Sequence, residues 1–187
     1  LRAKTRVIVQ SAAGPKSRPA ARSDAFEVCV IGHLRPVKDP FRTALAARQL
    51  PPESRIIVSH LGAALDLKMA HRARAEMLRN SRYRWLGDLP HTQALRLLAR
   101  SRLLVNSSKM EGGANAICEA LACGVPVLSS RIDGSIGLLG EDYPGYFEFG
   151  STLELATLLS RFETDAAYKN RLTSSCRALA RIVDPKR

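Results

Sequence analysis

Two carboxylates, Glu111 and Glu119, enclose seven residues, Gly112-Gly113-Ala114-Asn115-Ala116-Ile117-Cys118. A helix that begins among those residues presents unpaired N–H groups and the positive end of its dipole, which together attract an anion. Paired glycines let that anion come close to the backbone. Carboxylates do the opposite: they repel anions and accept strong hydrogen bonds from hydroxyls. The combination suits a phosphate that carries hydroxyl-rich groups on both sides, with one carboxylate holding a sugar and the other a ribose. Asn115 and Glu119 are four apart and share a helix face. A surface helix whose first-turn glutamate complements the dipole is the competing explanation, and a short Gly-Gly match alone does not separate the two.

The elements that must position these groups are legible around them. Arg102-Leu-Leu-Val-Asn-Ser107 is short and apolar and predicts a buried strand. Ala120-Leu-Ala-Cys-Gly124 ends the helix with a glycine, and Val125-Pro-Val-Leu-Ser129 begins another strand. Strand, glycine-bearing turn, helix and strand make a βαβ crossover.

The same pattern extends along the chain. Thr5–Gln10 alternates as a short strand, and Ser11–Asp24 is a polar linker where a hinge between domains would sit. Phe26–Ile31 predicts a buried strand, followed by Gly32-His33-Leu34-Arg35-Pro36-Val37-Lys38-Asp39-Pro40. Asp39 is the expected N-cap of a helix reaching Leu50, with Pro40 in its first turn. His33, Arg35 and Lys38 thus follow the carboxyl end of a strand, the edge at which open α/β sheets bind ligands, and Lys38 is the candidate phosphate contact. The alternative for Lys38 is a solvated loop residue.

Further on, Ser54–His60 predicts a strand and Leu65–Asn80 a helix with Met69, Ala73 and Met77 inward. Tyr83–Gly87 is a short strand, and His91–Arg100 a helix. Trp85 lines a base pocket or packs in the core. Arg131–Gly140 is expected to be a glycine-rich loop and Tyr143–Phe149 a short strand. Ser151 or Thr152 caps a helix to Phe162, and Asp165 caps the last one, which is expected to pack across another element of a longer protein. Alternating strands and helices predict a Rossmann-like, doubly wound parallel sheet.

Composition sets the outer limits. The chain has 187 residues, 45% of them hydrophobic, enough for one domain with a real core. No apolar run spans a membrane and no signal-peptide pattern is present. Cys29, Cys118, Cys123 and Cys176 sit in apolar patterns without a CxxC pair, which suits buried thiols in a reducing compartment, the cytoplasm. The net charge of +12 admits a nucleic-acid partner, but the 29 basic residues are spread out and aromatics are only 5%. A polyanionic small ligand is the expected partner; a basic nucleic-acid module is the alternative from another class.

Taken together, Leu-Val-Asn-Ser-Ser108, Glu111, Glu119 and Ala-Leu-Ala-Cys-Gly-Val-Pro-Val127 resemble the family 4 retaining glycosyltransferases. The resemblance covers residues 26–182. It implies the C-terminal, donor-binding half of a two-domain GT-B enzyme: residues 1–25 as strand and linker from an N-terminal acceptor domain, 26–164 as the nucleotide-sugar domain, 165–187 as a C-terminal helix. Gly32-His33-Leu34 with Lys38 matches the family's Gly-Arg-Leu-x-x-x-Lys pattern, with His33 in the arginine's place and either His33 or Arg35 to take over its contact with the diphosphate. Trp85-Leu86-Gly87 matches the segment lining the base. By resemblance, Glu111 hydrogen-bonds the donor sugar, Gly112, Gly113, Ala114 and Asn115 cradle sugar and diphosphate, Glu119 holds the ribose and Lys38 neutralises the leaving diphosphate. No Asp-x-Asp metal motif is visible, so neither metal nor cofactor is expected beyond a UDP-linked donor.

A closer resemblance joins His33-Leu-Arg-Pro-Val-Lys-Asp-Pro-Phe41, Met110–Asn115 and Gly137–Tyr146 to the selenosugar synthase branch of selenoneine biosynthesis. That branch implies a UDP-hexose donor such as UDP-N-acetylglucosamine or UDP-glucose, and selenophosphate as acceptor.

Overall fold

A computed structural model describes residues 10–15, 19–20 and 23–185. They form a six-stranded sheet, all parallel, in the order β3-β2-β1-β4-β5-β6. The strands are β1 (Phe26–Ile31), β2 (Ile56–Leu61), β3 (Tyr83–Trp85), β4 (Leu103–Asn106), β5 (Val127–Ser130) and β6 (Tyr146–Phe147). The helices are α1 (Arg42–Ala47), α2 (Leu67–Arg79), α3 (His91–Arg100), α4 (Asn115–Ala122), α5 (Asp133–Leu139), α6 (Thr152–Thr164) and α7 (Ala166–Leu179). This is the expected Rossmann-like arrangement. Parallel strands covered on both faces must be apolar throughout, and Val28, Ile56, Val58, Leu103, Leu104, Val127 and Leu128 are fully buried. From the helices, Leu98, Ile117, Leu155 and Leu159 close over them.

The strand order reverses between β1 and β4, which are neighbours although three crossovers separate them. The loops after these two strands diverge and leave a crevice at their carboxyl ends. Lys38 follows β1 and Glu111 follows β4. The two loops are tied by Lys109 N–H to Val37 O (2.8 Å) and by the Ser107 hydroxyl to Asp39 O (3.0 Å).

Several sequence expectations are corrected by the packing. Asp39 does not cap α1. It sits in the left-handed region (φ 43°) after a 3-10 turn, Pro36–Lys38, and its carboxylate accepts from Arg42 Nε at 2.7 Å. That turn lifts Lys38 toward the crevice and delays α1 to Arg42; the helix also stops at Ala47, short of Leu50. Met77 is 39% exposed, while Ala73 is fully buried and Met69 packs at the edge of the core.

The glycine-rich stretch 131–140 is not a loop. Residues Asp133–Leu139 form α5, since buried Leu138 and Leu139 and the Ser135–Ser129 hydroxyl contact (2.8 Å) outweigh the low helix propensity of two glycines. The strand expected at Tyr143–Phe149 shrinks to Tyr146–Phe147, paired with Ser129 and Ser130.

The C-terminal segment packs on its own domain. The chain after α7 turns through a 3-10 helix, Ala180–Val183, against α4, and Val183 is fully buried. Part of the expected linker joins it: Ala12 N–H donates to Val183 O at 2.9 Å, and a Cβ on Gly14 would lie 2.9 Å from Ala122 O. The strand expected at Thr5–Gln10 falls outside the described residues, apart from Gln10. All four cysteines are buried and none is in a disulfide, as expected. Part of the positive charge serves the fold: Arg48 and Arg79 pair with buried Glu76, and Arg100 with buried Glu27. No helix among the described residues is long and apolar enough to cross a membrane.

Candidate functional site

The crevice is built from three loop ends laced together. Gly32 N–H donates to Leu61 O (2.9 Å), Leu34 N–H to Ala63 O (2.8 Å) and Gly62 N–H to Gly87 O (2.8 Å). Gly62 has φ 144°, and a Cβ there would lie 2.1 Å from Gly32 O. His60 fixes the same point from below. Its Nε2 lies 3.0 Å from Gly32 O, which only accepts, so Nε2 carries the proton and Nδ1 accepts from the Tyr83 hydroxyl at 2.9 Å. Burial lowers the His60 pKa to about 4, so the ring is neutral and stays a one-way donor to the loop.

That shift carries a pH signature. With the folded value at about 4 and the unfolded at 6.5, the unfolded chain binds the proton first. Stability is therefore full above pH 6.5 and falls between 6.5 and 4, by up to about 3 kcal/mol if His60 acts alone. Denaturant titrations at pH 7 and pH 4.5 should show this loss, and His60→Gln should flatten the difference between them.

Across the crevice, Lys38 Nζ meets Glu111 Oε1 at 2.6 Å, with side chains 24% and 10% exposed. Ser108 Oγ lies 2.6 Å from the same oxygen. Lys38 and Ser108 thus converge on one oxygen of the Glu111 carboxylate. Glu111 is also fixed through its backbone: a Cβ on Gly134 of α5 would lie 2.2 Å from Glu111 O. Gly134→Ala should push the Glu111 loop out and destabilise the chain by about 2 kcal/mol, a usual overpacking cost. By displacing Glu111 it should also weaken UDP binding; melting and titration of this variant check both effects.

The turn before α4 is open. Cβ atoms on Gly112 and Gly113 would meet nothing within 4 Å. Asn115 N–H is spent locally on Gly113 O at 3.0 Å. The N–H groups of Gly112, Gly113, Ala114 and Ala116 find no acceptor among the described residues. The set of unspent N–H groups thus differs from the expected one by Ala116 in place of Asn115. Lys38, Glu111, Gly113, Ala114, Asn115 and Glu119 line one cleft of about 350 Å3. An adjoining hollow of about 230 Å3 contains Gly32, His33, Arg35 and Asp88, and shares Lys38, Ile31, Leu89 and Ala94 with the first. Together they are in the size range of small-molecule sites.

His33 accepts from Ala63 N–H at Nδ1 (3.0 Å), so it offers the hollow a single N–H where an arginine would offer a fork. Trp85 and Leu86 do not line either space. The indole Nε1 donates to Gly62 O at 2.8 Å and braces the loop instead. Asp88 and Leu89, just beyond, take the lining position.

Sequence reasoning missed three participants. His91, at the start of α3, holds Glu119 Oε1 at 2.8 Å; Ser108 holds Glu111; Gly134 seats its loop. Only Ser108 had a signal, the small polar residues ending β4. A bigger hollow of about 820 Å3, lined by Met110, Lys109 and Arg131, shares only Glu111 with the cleft. Size alone does not mark the chemistry here, because the cation, the second carboxylate and the open helix end all lie in the smaller cleft.

A doubly wound parallel sheet with a cation, two carboxylates and a helix end at its switch point has the Rossmann-like fold of GT-B glycosyltransferases. The chain belongs to the glycosyl transferases group 1 family, whose model matches residues 16–178. It is 28% identical over 145 residues to glycosyltransferase 1 domain-containing protein 1 of Xenopus tropicalis, covering 77% of this chain and 42% of that protein. It is 27% identical over 164 residues to an Escherichia coli UDP-Gal:alpha-D-GlcNAc-diphosphoundecaprenol alpha-1,3-galactosyltransferase, covering 83% and 41%. Among solved structures, Anabaena HepE in complex with UDP-glucose shares the fold with TM-score 0.76 at 24% identity, covering 87% of this chain and 46% of that one. The chain thus spans less than half the length of these proteins.

Proposed function

We propose that this chain is the donor half of a hexosyltransferase, binding a UDP-sugar in the crevice between the β1 and β4 loops. The observation that carries this is the Lys38–Glu111 contact at 2.6 Å beside an open helix end, with Glu119 in the same cleft. Such a site has a cation and free N–H groups for the diphosphate and one carboxylate on each side for hydroxyls. The UDP-glucose complex of HepE and the UDP-Gal name of the Escherichia coli relative support a uridine donor.

The chemistry follows from where charge develops. The bond between the anomeric carbon and the β-phosphate oxygen breaks, and both electrons leave with UDP. Lys38 and the N–H groups near Gly112, Gly113 and Ala114 stabilise that growing negative charge, which is electrostatic catalysis by fixed groups. Glu111 accepts from the donor sugar, with Ser108 fixing its orientation. The acceptor and any base lie on an N-terminal domain of the same protein. The motifs His33–Phe41, Met110–Asn115 and Gly137–Tyr146 support membership of family 4 and, within it, the selenosugar synthase branch. There selenium of selenophosphate attacks the anomeric carbon of UDP-N-acetylglucosamine or UDP-glucose and forms a carbon–selenium bond. On this reading the enzyme works in the cytoplasm.

The test is mass analysis of products from this chain joined to its N-terminal domain, given UDP-N-acetylglucosamine and selenophosphate. A selenium-bearing hexose appearing in step with UDP is the expected result. Transfer to an ordinary sugar or lipid instead would retain the donor site and replace the acceptor. No consumption of any UDP-hexose would contradict the hexosyltransferase assignment.

A further inference from the structure

His91 opens α3 and its ring reaches over to α4, where Nε2 lies 2.8 Å from Glu119 Oε1. A carboxylate oxygen only accepts, so Nε2 carries the proton. The His91 side chain is 70% exposed and Glu119 21%, so packing does not explain the contact. Both residues line the cleft that holds Lys38 and Glu111. Among the described residues the second oxygen of Glu119 meets no donor.

We propose that His91 is a positioning residue for the nucleotide's ribose. It pins one oxygen of Glu119 and thereby presents the other to the ribose hydroxyls. The terminal torsion of a free glutamate is broad and two-fold. Fixing it before the ligand arrives removes an ordering cost that binding would otherwise carry. The inference rests on the donor-site reading above, in which Glu119 holds the ribose.

The experiment titrates UDP and 2′,3′-dideoxy-UDP into the wild-type chain and into His91→Ala, His91→Gln and Glu119→Ala. His91→Ala should weaken UDP by about three- to tenfold, the range for one lost hydrogen bond. It should leave dideoxy-UDP unchanged, because that ligand has no hydroxyl for Glu119 to accept from. Glutamine, which keeps an N–H at similar reach, should recover most of the loss. An equal loss for both nucleotides would mean a merely structural role and overturn the proposal, as would no loss at all. If Glu119→Ala weakens UDP while His91→Ala is silent, only the positioning role falls. If Glu119→Ala also leaves UDP unchanged, or the wild-type chain binds no UDP, the ribose assignment beneath it falls too.

Discussion

Replacing Lys38 by alanine is expected to weaken UDP binding by about 2 kcal/mol, roughly thirtyfold, as for a lost hydrogen bond to a charged group. In the enzyme joined to its acceptor domain, the transfer rate should drop by about 10²- to 10³-fold, as when one donor to a developing anion is removed. Two effects contribute, and they can be separated. Lys38 is the only cation within salt-bridge reach of Glu111 among the described residues, and Glu111 is 10% exposed. Alanine therefore also leaves a partly buried carboxylate uncompensated. The double variant Lys38→Ala, Glu111→Gln removes that second penalty. It should regain thermal stability without regaining UDP affinity. Affinity unchanged in Lys38→Ala would remove Lys38 from the diphosphate site.

The second large effect is structural and reaches the site through the backbone. Gly62→Ala should lower the melting temperature by about 6–12 °C, corresponding to about 3 kcal/mol for a domain of this size. Gly62 has φ 144°, a conformation that side chains rarely adopt, and the added Cβ would lie 2.1 Å from Gly32 O and 2.8 Å from His33 N. These are backbone atoms and cannot rotate away. Gly62 also joins β2 to its neighbours, through its N–H to Gly87 O and its carbonyl to the Trp85 indole. Displacing it should move the Gly32–Lys38 turn and weaken UDP binding along with stability. A variant that melts like the wild type would show that this close approach is not maintained in solution.

How far the sequence discloses this molecule depends on the range of the interactions involved. Strand β1, helix α3 and the caps of α6 and α7 are set by local pattern. Ser151 accepts from Glu154 N–H at 3.3 Å and Asp165 from Tyr168 N–H at 2.9 Å, as their positions before apolar periodic runs predict. Helix α5 was hidden because its stability comes from burying Leu138, Leu139 and Ser135 against the rest of the domain, against local propensity. Asp39 looked like a cap because Asp-Pro is a common helix start, yet contacts between residues 107 and 39 hold it in a tight turn.

The site shows the same division. Lys38, Glu111 and Glu119 are marked by spacing within single loops and helices, and the strand order brings the two loops together. His91 and Gly134 act across elements, 28 and 23 residues from the glutamates they serve. No local pattern signals a contact of that kind. Trp85 shows the converse, since a conspicuous residue at a strand end turned out to brace Gly62 and not to line the cleft.

Calorimetric titration of the chain with UDP, UDP-N-acetylglucosamine and GDP, repeated on Glu119→Ala, tests the donor site most directly. The expected result is preferential binding of the uridine nucleotides, weakened by about 1 kcal/mol or more in the variant, the scale of one lost hydrogen bond. Equal binding of UDP and GDP that Glu119→Ala leaves untouched would contradict a UDP-sugar site in this crevice.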